Sequence, residues 1–127
     1  IYTTALPPAV AEATRASLRI VQEEGWRREV LNARIAQFRA GVMQLGFKLL
    51  DSPTPIQALI LGEAQAAVAA SEALRAGGIL VPAIRPPTVP AGSARLRVTF
   101  CAQHTTQQVE RLLEALAVLP QKFSEPA

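Results

Sequence analysis

A proline-rich turn that runs directly into an alternating segment constrains the fold of this chain more than any other feature. It reads IRPPTVPAGSARLRV from Ile84 to Val98. Proline fixes φ and removes a backbone donor, so residues 85–90 form a stiff extended segment, and Gly92 then permits a sharp turn. The alternation over residues 94–101 is typical of a β-strand with one buried face. We therefore predict two strands joined by a rigid connection.

Two arginines lie on either side of this turn and indicate a binding function. Arg85 precedes the prolines, and Arg97 lies in the alternating segment. In that segment Leu96, Val98 and Phe100 are predicted to point one way, and Arg95, Arg97, Thr99 and Cys101 the other. A planar guanidinium recognises a carboxylate or a phosphate through two parallel hydrogen bonds. The sequence thus predicts a site for a small anion and leaves the anion open.

Composition limits the fold to one ordinary domain. The chain has 127 residues, of which 50% are hydrophobic, and this is enough for a single core. Its apolar runs are of strand length and far shorter than a membrane span, so we do not expect a membrane protein. The net charge of +3 comes from arginines scattered among glutamates, which argues against nucleic-acid binding. The lone Cys101 and the absence of a signal-peptide pattern favour a reducing cytoplasm. Because the chain starts at Ile1 without methionine, we interpret it as a piece of a longer protein.

Hydrophobic spacing predicts four helices and four strands. The helices are expected after Pro7 and Pro8 as far as Gly25, from Trp26 to Gly46, over 63–76, and from Thr105 onward, where Gln108 completes a capping box. The strands are expected over 47–50, 56–61, 79–84 and 94–101. Two helical stripes are predicted to be buried, namely Leu31, Ile35, Phe38, Val42 and Leu45, and Val109, Leu112, Leu113, Leu116 and Leu119.

This order of elements predicts an α+β fold. We expect a two-layer sandwich in which helices cover one face of a small, mainly antiparallel sheet. The other face would display Arg97 and would be exposed or covered by a partner domain. A water-poor cleft at such a junction is a common place for a ligand site.

Three stretches of the chain carry a family resemblance. They are IYTTALPPAV, SPTPIQALILG and AIRPPTVPAGSARLRVTFCAQHT, and together they span essentially the whole chain. They resemble the C-terminal third of the α-oxoamine synthases, which depend on pyridoxal 5'-phosphate (PLP). The run RPPTVPAGSARLR is most similar to the member of that family in biotin biosynthesis.

The resemblance implies both a fold and a reaction. The fold would be the C-terminal small domain of a fold-type I PLP enzyme, of the aspartate-aminotransferase type. The reaction would be a decarboxylating condensation of L-alanine with a pimeloyl thioester, delivered by coenzyme A or by a carrier protein. The enzyme would be a cytoplasmic homodimer whose PLP is bound mainly by the part that precedes this chain.

The resemblance also implies roles for individual residues. Arg97 would pair with the carboxylate of the amino acid, Arg85 would act with it, and Thr88 would contact substrate. Thr3 and Thr4 would bind the PLP phosphate of the neighbouring subunit, where their hydroxyls and the N–H groups of the following helix can converge. Simpler interpretations stay open at each position: Arg97 as a solvated arginine on an exposed strand face, Arg85 and Thr88 as residues that stabilise the proline turn, and Thr3 and Thr4 as a segment that leads into the first helix.

The chain also departs from a complete enzyme of this kind. Its lysines, Lys48 and Lys122, do not match the family's Schiff-base lysine, so we expect no catalytic residue here and no catalysis by the chain alone. We divide it into residues 1–24, a segment and connecting helix from the larger PLP domain, residues 25–120, the C-terminal α+β domain, and residues 121–127, a frayed tail. Three alternatives remain: a stand-alone domain that binds a small anion, a relative that uses glycine or serine, and a structural dimerisation piece.

The remaining reactive side chains suggest no chemistry of their own. His104 directly precedes the helix cap at Thr105, so a structural or solvated role is expected. Cys101 is expected to be a small buried residue. No group of His, Cys or carboxylate residues has the spacing of metal ligands, and we predict no metal site.

Overall fold

Helices and short strands follow one another along residues 4–120, which are the residues that the structure, a computed structural model, describes. The elements are α1 (Pro8–Glu23), α2 (Trp26–Gln44), β1 (Lys48–Leu49), β2 (Ile56–Gly62), α3 (Ala64–Ala76), β3 (Ala83–Ile84), β4 (Ala94–Thr99) and α4 (Thr106–Ala117). This order confirms the predicted one.

Local signals in the sequence determine where the helices begin and end. At α4 the predicted capping box is present: the Gln108 N–H donates to Thr105 Oγ1 at 3.2 Å, and the Thr105 N–H donates to Gln108 Oε1 at 2.9 Å. These bonds satisfy two donors at a helix end that would otherwise be unpaired. Helix α2 ends at Gln44, and the chain turns away from it at Gly46, whose φ of 81° is readily adopted by a residue without a side chain.

The four strands form one antiparallel sheet in the order β1-β2-β4-β3. In β2–β4 pairing Leu59 lies opposite Leu96, and Ala58 lies opposite Arg97. In β3–β4 pairing Ile84 lies opposite Arg95. Residues directly opposite each other share a face of the sheet, so this register decides which side chains meet.

The core lies between one face of the sheet and helices α2, α3 and α4. Strand residues Leu59, Leu96 and Val98 are buried together with Phe38 of α2 and Leu116 of α4. The Phe38 and Phe100 rings lie 5.1 Å apart and tie α2 to the end of β4. The predicted fold class, a two-layer α+β sandwich with helices on one face, is therefore confirmed.

Both predicted stripes supply core residues, with one exception near a helix end. Ile35, Phe38 and Val42 are buried in α2, as are Val109, Leu112, Leu116 and Leu119 in or just after α4, while Leu31 and Leu113 are partly buried. Leu45 is 37% exposed, because it lies at the C-cap, where the chain turns away from the core.

The outer strands are shorter than predicted, and the prediction that residues 79–82 belong to a strand is wrong. There the Ile79 N–H donates to Leu74 O at the end of α3, and Val81 O accepts from the Ser71 hydroxyl at 2.6 Å. The Pro82 carbonyl still accepts a hydrogen bond from the Arg97 N–H at 3.0 Å, but proline has no N–H to donate in return. Backbone pairing with β4 therefore stops at Pro82. Likewise β1 covers two of the four residues expected over 47–50, and β4 ends at Thr99.

Helix α1 differs from the others because none of its residues is buried. Val10, Leu18 and Val21 are each about half exposed. Within residues 4–120, no helix combines the length and apolar character that crossing a membrane requires. The predicted division at residues 24 and 120 stays a prediction, and residues 121–127 lie outside the described part of the chain.

Candidate anion site on the open face of the sheet

Arg97 lies in the middle of β4 on the face of the sheet that is opposite to the helices. Its neighbours Leu96 and Val98 are buried, so alternation along the strand directs Arg97 outward, where it is exposed. Its backbone is held on both sides, by the pairing with β2 and by the bond from its N–H to Pro82 O. Its guanidinium forms neither a hydrogen bond nor an ion pair with any residue in 4–120. A charged group on a fixed backbone is thus available to an anion.

Arg85 and Thr88 lie in the turn that follows β3. The Thr88 N–H donates to Arg85 O at 3.1 Å, and the Pro86–Pro87 peptide bond is cis. Both side chains are exposed. Arg97 lies beside Pro82, and Pro82 precedes Arg85 by three residues. The two arginines are therefore about 10 Å apart along the strand direction. They share one hairpin, and their long side chains would have to converge to hold one carboxylate.

Of the two candidate phosphate ligands, Thr4 is described and exposed, and Thr3 lies outside the described residues. Thr4 precedes the N-cap of α1, which is Pro7. In the first turn of that helix, Pro8 has no N–H, and the N–H groups of Val10 and Ala11 already donate to Pro7 O. The helix end therefore offers fewer donors to a phosphate than a usual first turn, and a contact at Thr4 would depend on its own hydroxyl.

The structure places a second arginine, Arg95, next to Arg97, and Arg95 is not among the predicted site residues. Arg95 lies opposite Ile60 and Ile84, points to the same face as Arg97, and is half-buried. Its Nε donates to Ser93 O at 2.9 Å. The alternation of Arg95 and Arg97 in the sequence was the signal for this pair.

The face that carries Arg95 and Arg97, which we name the open face, is cationic and partly apolar. By register its residues are Lys48, Ile56, Ala58, Ile60, Ile84, Arg95, Arg97 and Thr99. None of these residues is a carboxylate. A surface that combines three cations with isoleucine side chains favours an anionic ligand with an apolar part.

A cavity of about 340 Å³ lies at the edge of the sheet, where the residues before β3 separate from β4 and α4 is adjacent. Residues 78–82 form one wall, and the end of β4 and the first half of α4 form the others. Arg97, His104 and Gln108 are among its lining residues. The cavity forms because backbone pairing with β4 stops at Pro82, and the residues that precede Pro82 lead away from β4.

His104 has a structural position, as expected. Its Nδ1 accepts from the Cys101 N–H at 3.1 Å, its carbonyl accepts from Arg34 Nε at 3.0 Å, and its ring meets the edge of Phe100. The expectation that Cys101 is buried is wrong: the residue is exposed, because it lies two residues beyond the end of β4 and starts the turn that His104 closes. Among residues 4–120 there is no group of three His, Cys or acidic side chains close enough to hold a metal ion.

Comparison with known proteins identifies the family. The family model for aminotransferase class I and II matches residues 1–116 of the chain.

This chain belongs to the class I and II aminotransferase family.

Relatives within this family that are most similar in sequence share one name. The chain is 64% identical over 116 residues to the 8-amino-7-oxononanoate synthase of Thioalkalivibrio sulfidiphilus, and 66% identical over 116 residues to that of Nitrosococcus oceani. In each case the match covers 91% of this chain, and 30% and 31% of those relatives. The chain thus spans about a third of the length of the curated relatives that it matches.

Solved structures of the family have the same fold over almost all of the chain. A serine palmitoyltransferase from Sphingomonas wittichii superposes with a TM-score of 0.84 at 33% identity, and covers 92% of this chain and 30% of that one. The 8-amino-7-oxononanoate synthase from Francisella tularensis superposes with a TM-score of 0.78 at 28% identity, and covers 92% of this chain and 34% of its own. These agreements confirm the predicted α+β fold, which in these solved structures makes up about a third of the chain.

Proposed function

We propose that this chain is the C-terminal portion of an 8-amino-7-oxononanoate synthase. The complete protein would condense L-alanine with a pimeloyl thioester in biotin biosynthesis, with loss of carbon dioxide. The identity of 64–66% to two synthases of this name supports this choice over a serine-using relative.

The observation that carries the proposal is Arg97 on the open face, whose guanidinium has no partner among residues 4–120. An amino-acid substrate presents a carboxylate, and a guanidinium on fixed backbone can bind it through two parallel, charge-assisted hydrogen bonds. Such bonds contribute about 1.5–3 kcal/mol each. Arg97 would bind and orient the alanine carboxylate until it departs as carbon dioxide, with Arg85 and Thr88 completing the contact from the turn after β3.

The residues of the open face also fit a PLP enzyme. An amino acid held on PLP carries a carboxylate and a phosphate, and the open face has cations and no acidic side chain among the described residues. Arg97 would hold the carboxylate, and Thr3 and Thr4 would contact the phosphate bound in the neighbouring subunit of a homodimer. PLP supplies an electron sink for the carbanion that forms at the α-carbon. The Schiff-base lysine would come from outside this chain, so the chain alone would not catalyse the reaction.

The proposal is tested with the full polypeptide that contains this chain, supplied with PLP. We expect L-alanine labelled in its carboxyl group to release labelled carbon dioxide when pimeloyl thioester is added, in equal amounts with free thiol and 8-amino-7-oxononanoate. Glycine and L-serine serve as matched controls. Faster release from either of them, or none from alanine with pimeloyl-CoA and with the pimeloyl carrier protein, would contradict the proposal.

A further inference from the structure

The proposed reaction involves two carboxylates, and the open face carries two adjacent arginines. Arg95 and Arg97 are two residues apart on β4, so their Cα atoms lie about 6.6 Å from each other. Both point to the open face. Arg97, with Arg85 and Thr88, is assigned to the carboxylate of the amino acid, which leaves Arg95 without an assigned partner.

Arg95 is held in place in a way that Arg97 is not. It is half-buried, and its Nε donates to Ser93 O at 2.9 Å. This bond fixes one edge of the guanidinium and leaves its two terminal nitrogens without a partner among residues 4–120. A guanidinium that is oriented in advance loses less freedom when an anion binds to it.

The side chains around Arg95 are apolar. Ile60 lies opposite it on β2, and Ile84 lies opposite it on β3. Ala58, beside Ile60 on the same face, lies opposite Arg97. A ligand that connects the two guanidiniums would therefore run past aliphatic surface, which suits a methylene chain with a carboxylate at its end.

On this geometry, and resting on the proposed function, we infer that Arg95 binds the distal carboxylate of the dicarboxylic acyl donor while Arg97 binds the carboxylate of the amino acid. In the condensing pair, eight carbon–carbon bonds separate the two carboxylate carbons, which corresponds to roughly 10 Å when the chain is extended. Two arginines whose Cα atoms lie about 6.6 Å apart span this distance when their side chains diverge slightly.

The other cations near this face are less suited to the same role. Arg85 lies beyond the end of β3 in the turn, and Lys48 lies on the edge strand β1, where Ile60 separates it from Arg95. The ammonium group of a lysine is also strongly hydrated and lacks the planar fork that matches a carboxylate. Arg95 would thus determine the preference for an acyl chain that ends in a carboxylate.

The test compares two seven-carbon acyl donors in the full polypeptide with PLP and L-alanine. Pimeloyl-CoA has the distal carboxylate, and heptanoyl-CoA has a methyl group in its place. We expect Arg95→Ala to lower kcat/KM for pimeloyl-CoA by about 10- to 100-fold and for heptanoyl-CoA by less than about 3-fold, because a bond to a charged group is lost with one donor alone. Arg95→Lys should restore part of the preference. Lys48→Ala removes a cation that lies in line with Arg95 across the open face, and it should leave the preference for pimeloyl-CoA unchanged.

A binding measurement gives a second readout that does not depend on turnover. Calorimetric titration of the same variants with pimeloyl-CoA and heptanoyl-CoA, without L-alanine, should show tighter binding of pimeloyl-CoA by the wild type and equal binding after Arg95→Ala. Equal losses for both donors in Arg95→Ala, or a wild type without preference for pimeloyl-CoA, would overturn the role of Arg95 while the proposed reaction stands. A wild type that turns over neither donor with alanine would overturn both proposals.

Discussion

Replacing Gln57 with leucine should destabilise the chain, because Gln57 is the buried centre of a polar network behind the open face. It is fully buried, and its Nε2 donates to Ser52 O at 3.0 Å and to Thr54 O at 2.7 Å. Its Oε1 accepts from Arg39 Nη1 at 2.7 Å. Gln57 thereby fastens the loop before β2 to α2, and β2 is the strand that pairs with Arg97.

The expected loss follows from these three bonds. The two bonds to carbonyls contribute about 0.5–1.5 kcal/mol each, and the bond from the charged arginine contributes about 1.5–3 kcal/mol. Leucine preserves most of the side-chain volume, so a cavity contributes little. The carbonyls of Ser52 and Thr54 lie near the surface and can bind water once Gln57 is replaced. We therefore expect the free energy of unfolding to fall by about 3 kcal/mol, in the lower half of the summed range.

Urea unfolding of the chain, followed by circular dichroism, measures this loss. A decrease of about 3 kcal/mol corresponds to a midpoint lower by roughly 1–3 M. A double-mutant cycle with Arg39→Ala isolates the charged bond, for which we expect a coupling of at least about 1 kcal/mol. A loss below about 1 kcal/mol, or no coupling with Arg39, would refute the argument that this network braces β2.

Two further substitutions test the core and a helix end. Phe38→Ala removes a fully buried ring that packs against Phe100 and should cost about 3–5 kcal/mol in urea unfolding, whereas Phe38→Leu should cost clearly less; equal losses would show that ring packing is not decisive. Thr105→Ala removes the capping box of α4 and should cost about 0.5–2 kcal/mol, while Thr105→Ser keeps the hydroxyl and should stay close to wild type; a serine variant as unstable as the alanine one would contradict the capping role.

Features that depend on neighbouring residues were predictable from the sequence. The cap at Thr105, the turn at Gly46 after α2 and the alternation along β4 all rest on signals within a few residues, and the structure confirms each of them. The fold class followed from the order of these elements, because helices and strands in this order pack as two layers.

Features that depend on distant contacts were not predictable in the same way. Residues 79–82 have the composition of a strand, yet two of their backbone groups form hydrogen bonds with Ser71 and Leu74 of α3. Pro82 then ends the backbone pairing with β4. Cys101 has apolar neighbours, yet it lies in an exposed turn.

The anion site shows the same limit. The sequence placed Arg95 and Arg97 on one face of a strand, but the distance of about 10 Å between Arg97 and Arg85 follows from the register of β3 against β4. Register depends on pairing between strands, and a single strand's pattern does not specify it.

The KM values of the Arg97→Ala variant test the central claim most directly. In the full polypeptide with PLP, we expect the KM for L-alanine to rise by about 10- to 100-fold, because the substrate carboxylate loses its charge-assisted partner. The KM for the pimeloyl thioester should change by less than about 3-fold, and Arg97→Lys should recover part of the alanine affinity. Equal increases in both KM values would contradict the claim that Arg97 binds the carboxylate of the amino acid.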